Sequence, residues 1–537
     1  MANQKKYWKG LEELTEAPGF VKAKNKEFAE EVPIDEFLGK QGLNTSSTSR
    51  RDFLKYLGFS VAAASLAACE APVVKTIPYV IKPEEVTPGI DNWYASTYFD
   101  GQDYCSVLVK TRDGRPIKIE GNTKSGVTMG AANARVQASV LSLYSSERLK
   151  GPQIGKKKTN WDDTDKEIMA KLSDAAAKGG NIRILSSTII SPSTKKIIAD
   201  FTAKYPTAKL VSWDAVSFSG MMKANEASFG KALIPSYSFD KADVIVSIAA
   251  DFLTNWLSPI EFAKQYATNR KLGKEKKEMS RFVQFESIMT VSGANADTRV
   301  QIKPSEEGAV AIGLYNAVAK ATGGSTVSAP AIDSKDANEK IQWTAEKLIA
   351  AKGKSLVVAG SNDTSVQTVV NEINRMLGNY GTTINATKEC YLRQGNDAEF
   401  AALVSDMKAG KVDVLITYNV NPSYNTASAL GFAEAYAKVA CKIALSEVND
   451  ETAMGANYLC PTHNYLESWG DANPYTGQYS LAQPAIYPLY SKKFPRENVE
   501  SKNEGTRCAQ ENFLKWMGSE NTDYYTYLQN FWKENML

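Results

Sequence analysis

Residues 355–377 read SLVVAGSNDTSVQTVVNEINRML. The first part, 356–359, is a short apolar run rich in β-branched side chains that ends beside a glycine, the mark of a buried strand. Residues 364–377 then form an amphipathic helical pattern, so a strand leads into a helix. The same unit recurs on both sides. Candidate strands lie at 182–185, 208–212, 244–248, 281–285, 412–417 and 442–445, with a further amphipathic helix at 398–408. Strands alternating with helices across 153–465 predict an α/β fold with parallel sheets and helices on both faces.

The flanks differ. Residues 106–122, SVLVKTRDGRPIKIEGN, alternate apolar and polar residues about Asp113-Gly114, a hairpin signal. They predict a small β-rich N-terminal domain within 70–152, entered by an extended arm at 70–90 that carries four prolines. Residues 466–537 are rich in Tyr, Pro and Gly, then helical and aromatic.

Composition narrows the function. Of 537 residues, 43% are hydrophobic and 23% charged, the balance of a globular protein with room for several domains. Sixty-three basic residues face sixty acidic ones, for a net charge of +3, which argues against nucleic acid as partner. The six cysteines (Cys69, Cys105, Cys390, Cys441, Cys460, Cys508) form no C-x-x-C pair, and His463 is the single histidine. Local zinc, iron–sulfur and c-type haem motifs are thereby excluded.

Residues 45–69, TSSTSRRDFLKYLGFSVAAASLAAC, read as an address. Ser49, Arg50, Arg51, Phe53, Leu54 and Lys55 match the twin-arginine export pattern. The apolar run after them is too short to span a bilayer, which takes roughly 20 residues, and suits a signal peptide. Leu66-Ala67-Ala68-Cys69 matches a lipobox, with Cys69 the acylated residue. Residues 1–48 form an extended leader and 49–69 the signal and lipobox. The expected location is the periplasmic side of the bacterial inner membrane, with a lipid anchor. Whether the leader is cleaved is left open.

Several further segments carry a resemblance to a known family. Gly114-Arg115-Pro116-Ile117-Lys118-Ile119-Glu120-Gly121-Asn122, Ala242-Asp243-Val244-Ile245-Val246, Gly293-Ala294-Asn295-Ala296-Asp297 and Asn374-Arg375-Met376-Leu377-Gly378-Asn379 resemble, in order, signatures of the molybdopterin oxidoreductases. So do Asn419-Val420-Asn421-Pro422, the block from Cys460 to Asp471, and Gln483-Pro484-Ala485-Ile486-Tyr487-Pro488. The resemblance covers roughly 90–520. It implies that family's fold.

The departures from the family carry as much weight. Its N-terminal iron–sulfur cluster takes four cysteines, and here that region holds Cys105 alone. Where the family places Pro-Gly-Thr-Asp near the pterin, this chain has Pro304-Ser305-Glu306-Glu307, two acids against an anionic pyrophosphate. No molybdenum ligand with the family's surroundings is found. No counterpart of the family's C-terminal barrel is expected after Thr506-Arg507-Cys508-Ala509-Gln510-Glu511. These losses resemble the molybdopterin-like N-terminal half of the large iron–sulfur subunit of alternative complex III.

That resemblance implies a non-catalytic scaffold with no cofactor of its own, in a complex that passes electrons from quinol to cytochrome c or an oxidase. Iron–sulfur clusters are expected in a ferredoxin-like half, either continuing this chain or forming a separate one. Haem c is expected in multihaem cytochrome c subunits. Integral membrane quinol-binding subunits and a terminal oxidase complete the expected partners. The alternative is a catalytic molybdopterin-dependent oxidoreductase subunit.

Single residues also have a sharp and a plain reading. His463 reads as part of a scaffold turn more than as a ligand or base. Glu467 and Asp471 read as pins for a loop before an acid/base pair. Gly378-Asn379 follows a helix, so it suits a C-cap and not a phosphate cradle. Trp516, Phe531 and Trp532 suit either core packing or a partner surface.

Overall fold

The Asp113-Gly114 turn closes a hairpin with both residues at positive φ, 49° and 74°, the type I′ geometry that matches strand twist. The computed structural model describes residues 87, 89–490 and 504–535, which belong to one unit, Lys82–Leu537. The leader, the export signal and Cys69 lie outside the described residues. Strands Asp91–Phe99, Tyr104–Arg112 and Arg115–Gly121 form an antiparallel sheet. Its middle strand buries Cys105, Val107 and Val109 against Val136, Leu143 and Leu466.

The α/β part forms two main sheets, beside a two-stranded antiparallel pair of Pro235–Tyr237 with Ile384–Glu389. The larger runs Lys157–Lys158, Gln153–Ile154, Tyr458–Pro461, Cys441–Ser446, Val414–Tyr418, Ile182–Ser186, Ala208–Ser212. Its last five strands are parallel, and the edge hairpin is antiparallel. The smaller runs Thr298–Gln301, Arg281–Glu286, Val244–Ile248, Ser355–Ala359, all parallel. Strands Val244–Ile248 and Ser355–Ala359 are buried at every position, as expected where helices cover both faces.

Helices follow their capping residues. Thr364–Met376 starts where the Asp363 side chain accepts from Ser365 and Val366 amides, and Asp397–Lys408 where Asn396 does the same for Ala398 and Glu399. Gly378, at φ 68°, turns the chain after the first of these.

Sheet order sets the position of any site. In the larger sheet the chain moves one way from Ile182–Ser186 and the other way from Val414–Tyr418, so the topology switches between them. In the smaller sheet it switches between Val244–Ile248 and Ser355–Ala359. In such sheets ligands enter the crevice at the carboxyl ends beside a switch point.

Candidate functional site at the carboxyl ends of the sheets

The larger sheet keeps a cavity of about 190 Å³ at its switch point. Ser187, which follows one central strand, and Asn419, which follows the other, both line it. Asn419 adopts φ 52°, a conformation open to asparagine, as the chain leaves the sheet. Trp213, Asp214, Arg393 and Asn421 also line it, with Asp100, Gly101 and Gln102 from the β-rich domain.

The charged groups in this wall are already engaged. Asp214 accepts from the Thr188 amide (2.9 Å), the Thr188 hydroxyl (2.6 Å), the Gly395 amide (2.9 Å) and the Gln394 amide (3.2 Å). Arg393, 1% exposed, donates to the carbonyls of Gly101 (3.0 Å), Leu392 (2.8 Å) and Gln102 (2.5 Å). Burial pushes its pKa below the usual guanidinium value. Asn421 receives the Thr452 hydroxyl at 2.8 Å and donates to Glu451 at 2.6 Å, so the Asn419–Pro422 motif ties down a neighbouring turn. No thiol or imidazole lines the cavity. The wall can bind polar groups, but it presents no nucleophile paired with a base.

At the smaller sheet the switch point is closed. The Gly360 amide donates to the Ile248 carbonyl at 2.8 Å, and a β-carbon on Gly360 would strike the Ala249 carbonyl. The Ala359 carbonyl is taken by Trp256 Nε1 (3.2 Å) and Gln367 Nε2 (3.0 Å). Beside it, donors face the chain's own carboxylates. Asp251 receives the Ser292 amide (3.0 Å) and hydroxyl (2.7 Å). Glu286 receives the Thr290 hydroxyl (2.6 Å) and Arg299 (2.5 Å). Glu306, in the Pro304–Glu306 turn, accepts from the Lys303 amide at 2.9 Å and is buried. An incoming anion would therefore meet carboxylates at each of these places.

The residues singled out in the sequence are dispersed. Cys105 is buried in the apolar cluster of the β-rich domain, and burial pushes its thiol up to about 12. Cys390, Cys441, Cys460 and Cys508 are buried and unpaired as well. Among the described residues, no group of three or more His, Cys, Asp or Glu is placed to hold a metal.

His463 Nδ1 sits 2.8 Å from the Thr506 hydroxyl, and burial pushes its pKa down to about 4. Glu467 receives both ends of the buried Arg148 guanidinium, at 3.1 and 2.5 Å, plus the Asn464 and Leu489 amides. Asp471 accepts from Ser191, Ser193 and Trp532. Both acids pin loops. Trp516 is fully buried, with Nε1 2.9 Å from Asp165, and belongs to the interior, while Trp532 is partly buried and packs against the same core. Phe531 is partly buried and touches Trp532.

Sequence reading missed Asp214 and Arg393. A signal existed for the first, since Asp214 follows the 208–212 strand by two residues. Arg393 lies in a loop without periodicity, and only the tertiary fold brings it to the cavity.

Known proteins agree with this architecture. No family model matches the chain. It is 24% identical over 515 residues to the menaquinone reductase, molybdopterin-binding-like subunit of Nitratidesulfovibrio vulgaris, covering 83% of this chain and 70% of the relative. It is 20% identical over 286 residues to the arsenate respiratory reductase molybdopterin-containing subunit of Shewanella sp. strain ANA-3, covering 50% of this chain and 33% of the relative. The fold matches acetylene hydratase from Pelobacter acetylenicus with a TM-score of 0.60 and 12% identity, over 82% of this chain and 71% of that one. The resemblance to molybdopterin oxidoreductases thus holds in sequence and in fold.

Proposed function

We propose that this chain is a cofactor-less scaffold subunit or domain of alternative complex III, a membrane quinol:electron acceptor oxidoreductase of a respiratory chain. The observation that supports this most is the arrangement at the carboxyl ends of the sheets. One switch point is closed by backbone packing, and Asp251, Glu286 and Glu306 hold the nearby donors. Such a setting does not suit an anionic pyrophosphate, because each carboxylate would repel it at short range. The lone buried thiol of the β-rich domain, Cys105, does not suit an iron–sulfur cluster either, which takes several thiolates.

The similarity to a subunit named for menaquinone reduction supports a quinone-coupled role. In this reading the chain is exported by the twin-arginine route and held at the periplasmic face of the inner membrane through Cys69. It braces an iron–sulfur ferredoxin-like half or subunit, multihaem cytochrome c subunits and integral quinol-binding subunits, with a terminal oxidase as a further partner.

The test is to weaken the scaffold in the native host, for example with Glu467→Ala, and purify the complex. The amount of assembled complex should fall while every haem and cluster potential stays unchanged. A shifted potential with normal assembly would contradict the scaffold role and favour the alternative, a catalytic molybdopterin-dependent subunit.

A further inference from the structure

The amino ends of the smaller sheet carry a different chemistry from its carboxyl ends. Register sets Arg281, Val244 and Ser355 side by side, so Arg281, Asp243 and Lys354 share one edge. The loop leading into Arg281 reads RKLGKEKKEMSR over 270–281. Within it, Arg270 is held by Asp297 at 2.7 Å, and Lys276 is turned onto Asn269 at 2.6 Å. Lys271, Lys274 and Lys277 are exposed, as are Leu272 (53%) and Met279 (49%).

Arg281 lies 5.4 Å from the centre of the half-buried Trp343 ring, and Lys340 and Lys347 each lie 5.5 Å from it. Arg281 thereby joins the loop to the helix Lys335–Ala350 in one patch. The acids on this edge, loop and helix are Asp243, Glu275, Glu278, Asp297, Asp336, Glu339 and Glu346; Lys354 faces Asp243 at 3.9 Å and Lys335 faces Glu339 at 3.7 Å. Cations outnumber them, although the whole chain carries only +3.

We infer that this edge rests on an anionic lipid surface. Lysines beside a negatively charged leaflet are each attracted within a Debye length. Leu272 and Met279 supply two apolar tips for shallow insertion, and an indole ring suits the interfacial zone. A protein partner fits less well, because lysine is depleted from protein–protein interfaces. No helix among the described residues is long and apolar enough to cross a membrane, so contact at this edge is peripheral. The inference is independent of the proposed respiratory role and of acylation at Cys69.

The test uses the full chain with Cys69→Ser, so that acyl chains contribute nothing. It is sedimented with vesicles of phosphatidylcholine alone or enriched in phosphatidylglycerol. Binding should require phosphatidylglycerol and weaken with added salt. The triple variant Lys271→Glu, Lys274→Glu, Lys277→Glu should bind at least about tenfold more weakly.

An environment-sensitive dye on Met279→Cys should shift to the blue on the anionic vesicles. The five described cysteines are buried, which directs the label to position 279. Equal binding of the triple variant and its parent would overturn the inference, as would no preference for phosphatidylglycerol or no binding at all. An unmoved dye together with capture by immobilised polyglutamate would overturn it in favour of an acidic protein partner.

Discussion

At the scale of single residues, His463 and Glu261 titrate in opposite senses. Burial holds the His463 imidazole at about 4, against 6.5 when free. Below pH 6.5 the unfolded chain takes up a proton that the folded chain refuses. Stability therefore falls as pH drops from 6.5 towards 4, by roughly 1.4 kcal/mol per pH unit. Burial raises Glu261 to about 7, although the Tyr475 hydroxyl donates to it. The folded chain then keeps a proton that the unfolded chain loses above 4.5, so stability falls as pH rises from 4.5 to 7. His463→Gln should remove the acid-side loss, and Glu261→Gln its own share of the neutral-side loss, to which Glu447, raised by burial to about 7, also contributes. Urea midpoints between pH 4 and 8 read both, and variant curves parallel to the parent would contradict them. Nearby, Glu467→Ala strands the buried Arg148 charge and should cost about 3–5 kcal/mol in the same assay.

At the scale of elements, the tightest approach of a glycine to the backbone of another segment is at Gly220, in the first turn of the helix Ser219–Phe229. Its amide donates to Asn362 Oδ1 at 2.8 Å, and a β-carbon there would run into the Asn362 carbonyl. Gly220→Ala should therefore destabilise by about 1–3 kcal/mol, and a melting temperature equal to the parent's would show that the contact gives way freely. The elements themselves were largely legible. The runs at 208–212 and 244–248 form strands with those bounds, the second because its β-branched residues between turn signals have few other uses. The run at 412–417 begins at Val414 instead, since Asp413 is drawn off to accept from the Asn181 amide at 2.7 Å. Other strands went unread. Tyr458–Pro461 ends in a proline, and the hairpin Gly470–Tyr475 with Gln478–Ala482 hides in a Tyr/Pro/Gly-rich stretch that turns at Gly477. The division into two sheets was also unreadable, because pairing of Ser355–Ala359 with Val244–Ile248 spans more than a hundred residues.

At the scale of the whole molecule, the chain keeps the fold of molybdopterin enzymes, with its own carboxylates holding donors at the carboxyl ends of the smaller sheet and a cavity left at the larger one. The cavity between Ser187 and Asn419 was signposted only by strand order, and its charged walls depend on contacts between Arg393 and the distant carbonyls of Gly101 and Gln102. If the chain acts as a scaffold, its worth lies in assembly, and its removal should disperse the partner subunits. The most direct test is metal and pterin analysis of the chain purified from membranes in mild detergent, with its co-purifying subunits identified by mass. The scaffold account predicts no molybdenum, tungsten or pterin, and iron only in proportion to haem- and cluster-bearing partners. Molybdenum or tungsten near one per chain, with pterin fluorescence, would contradict it and make this a catalytic subunit.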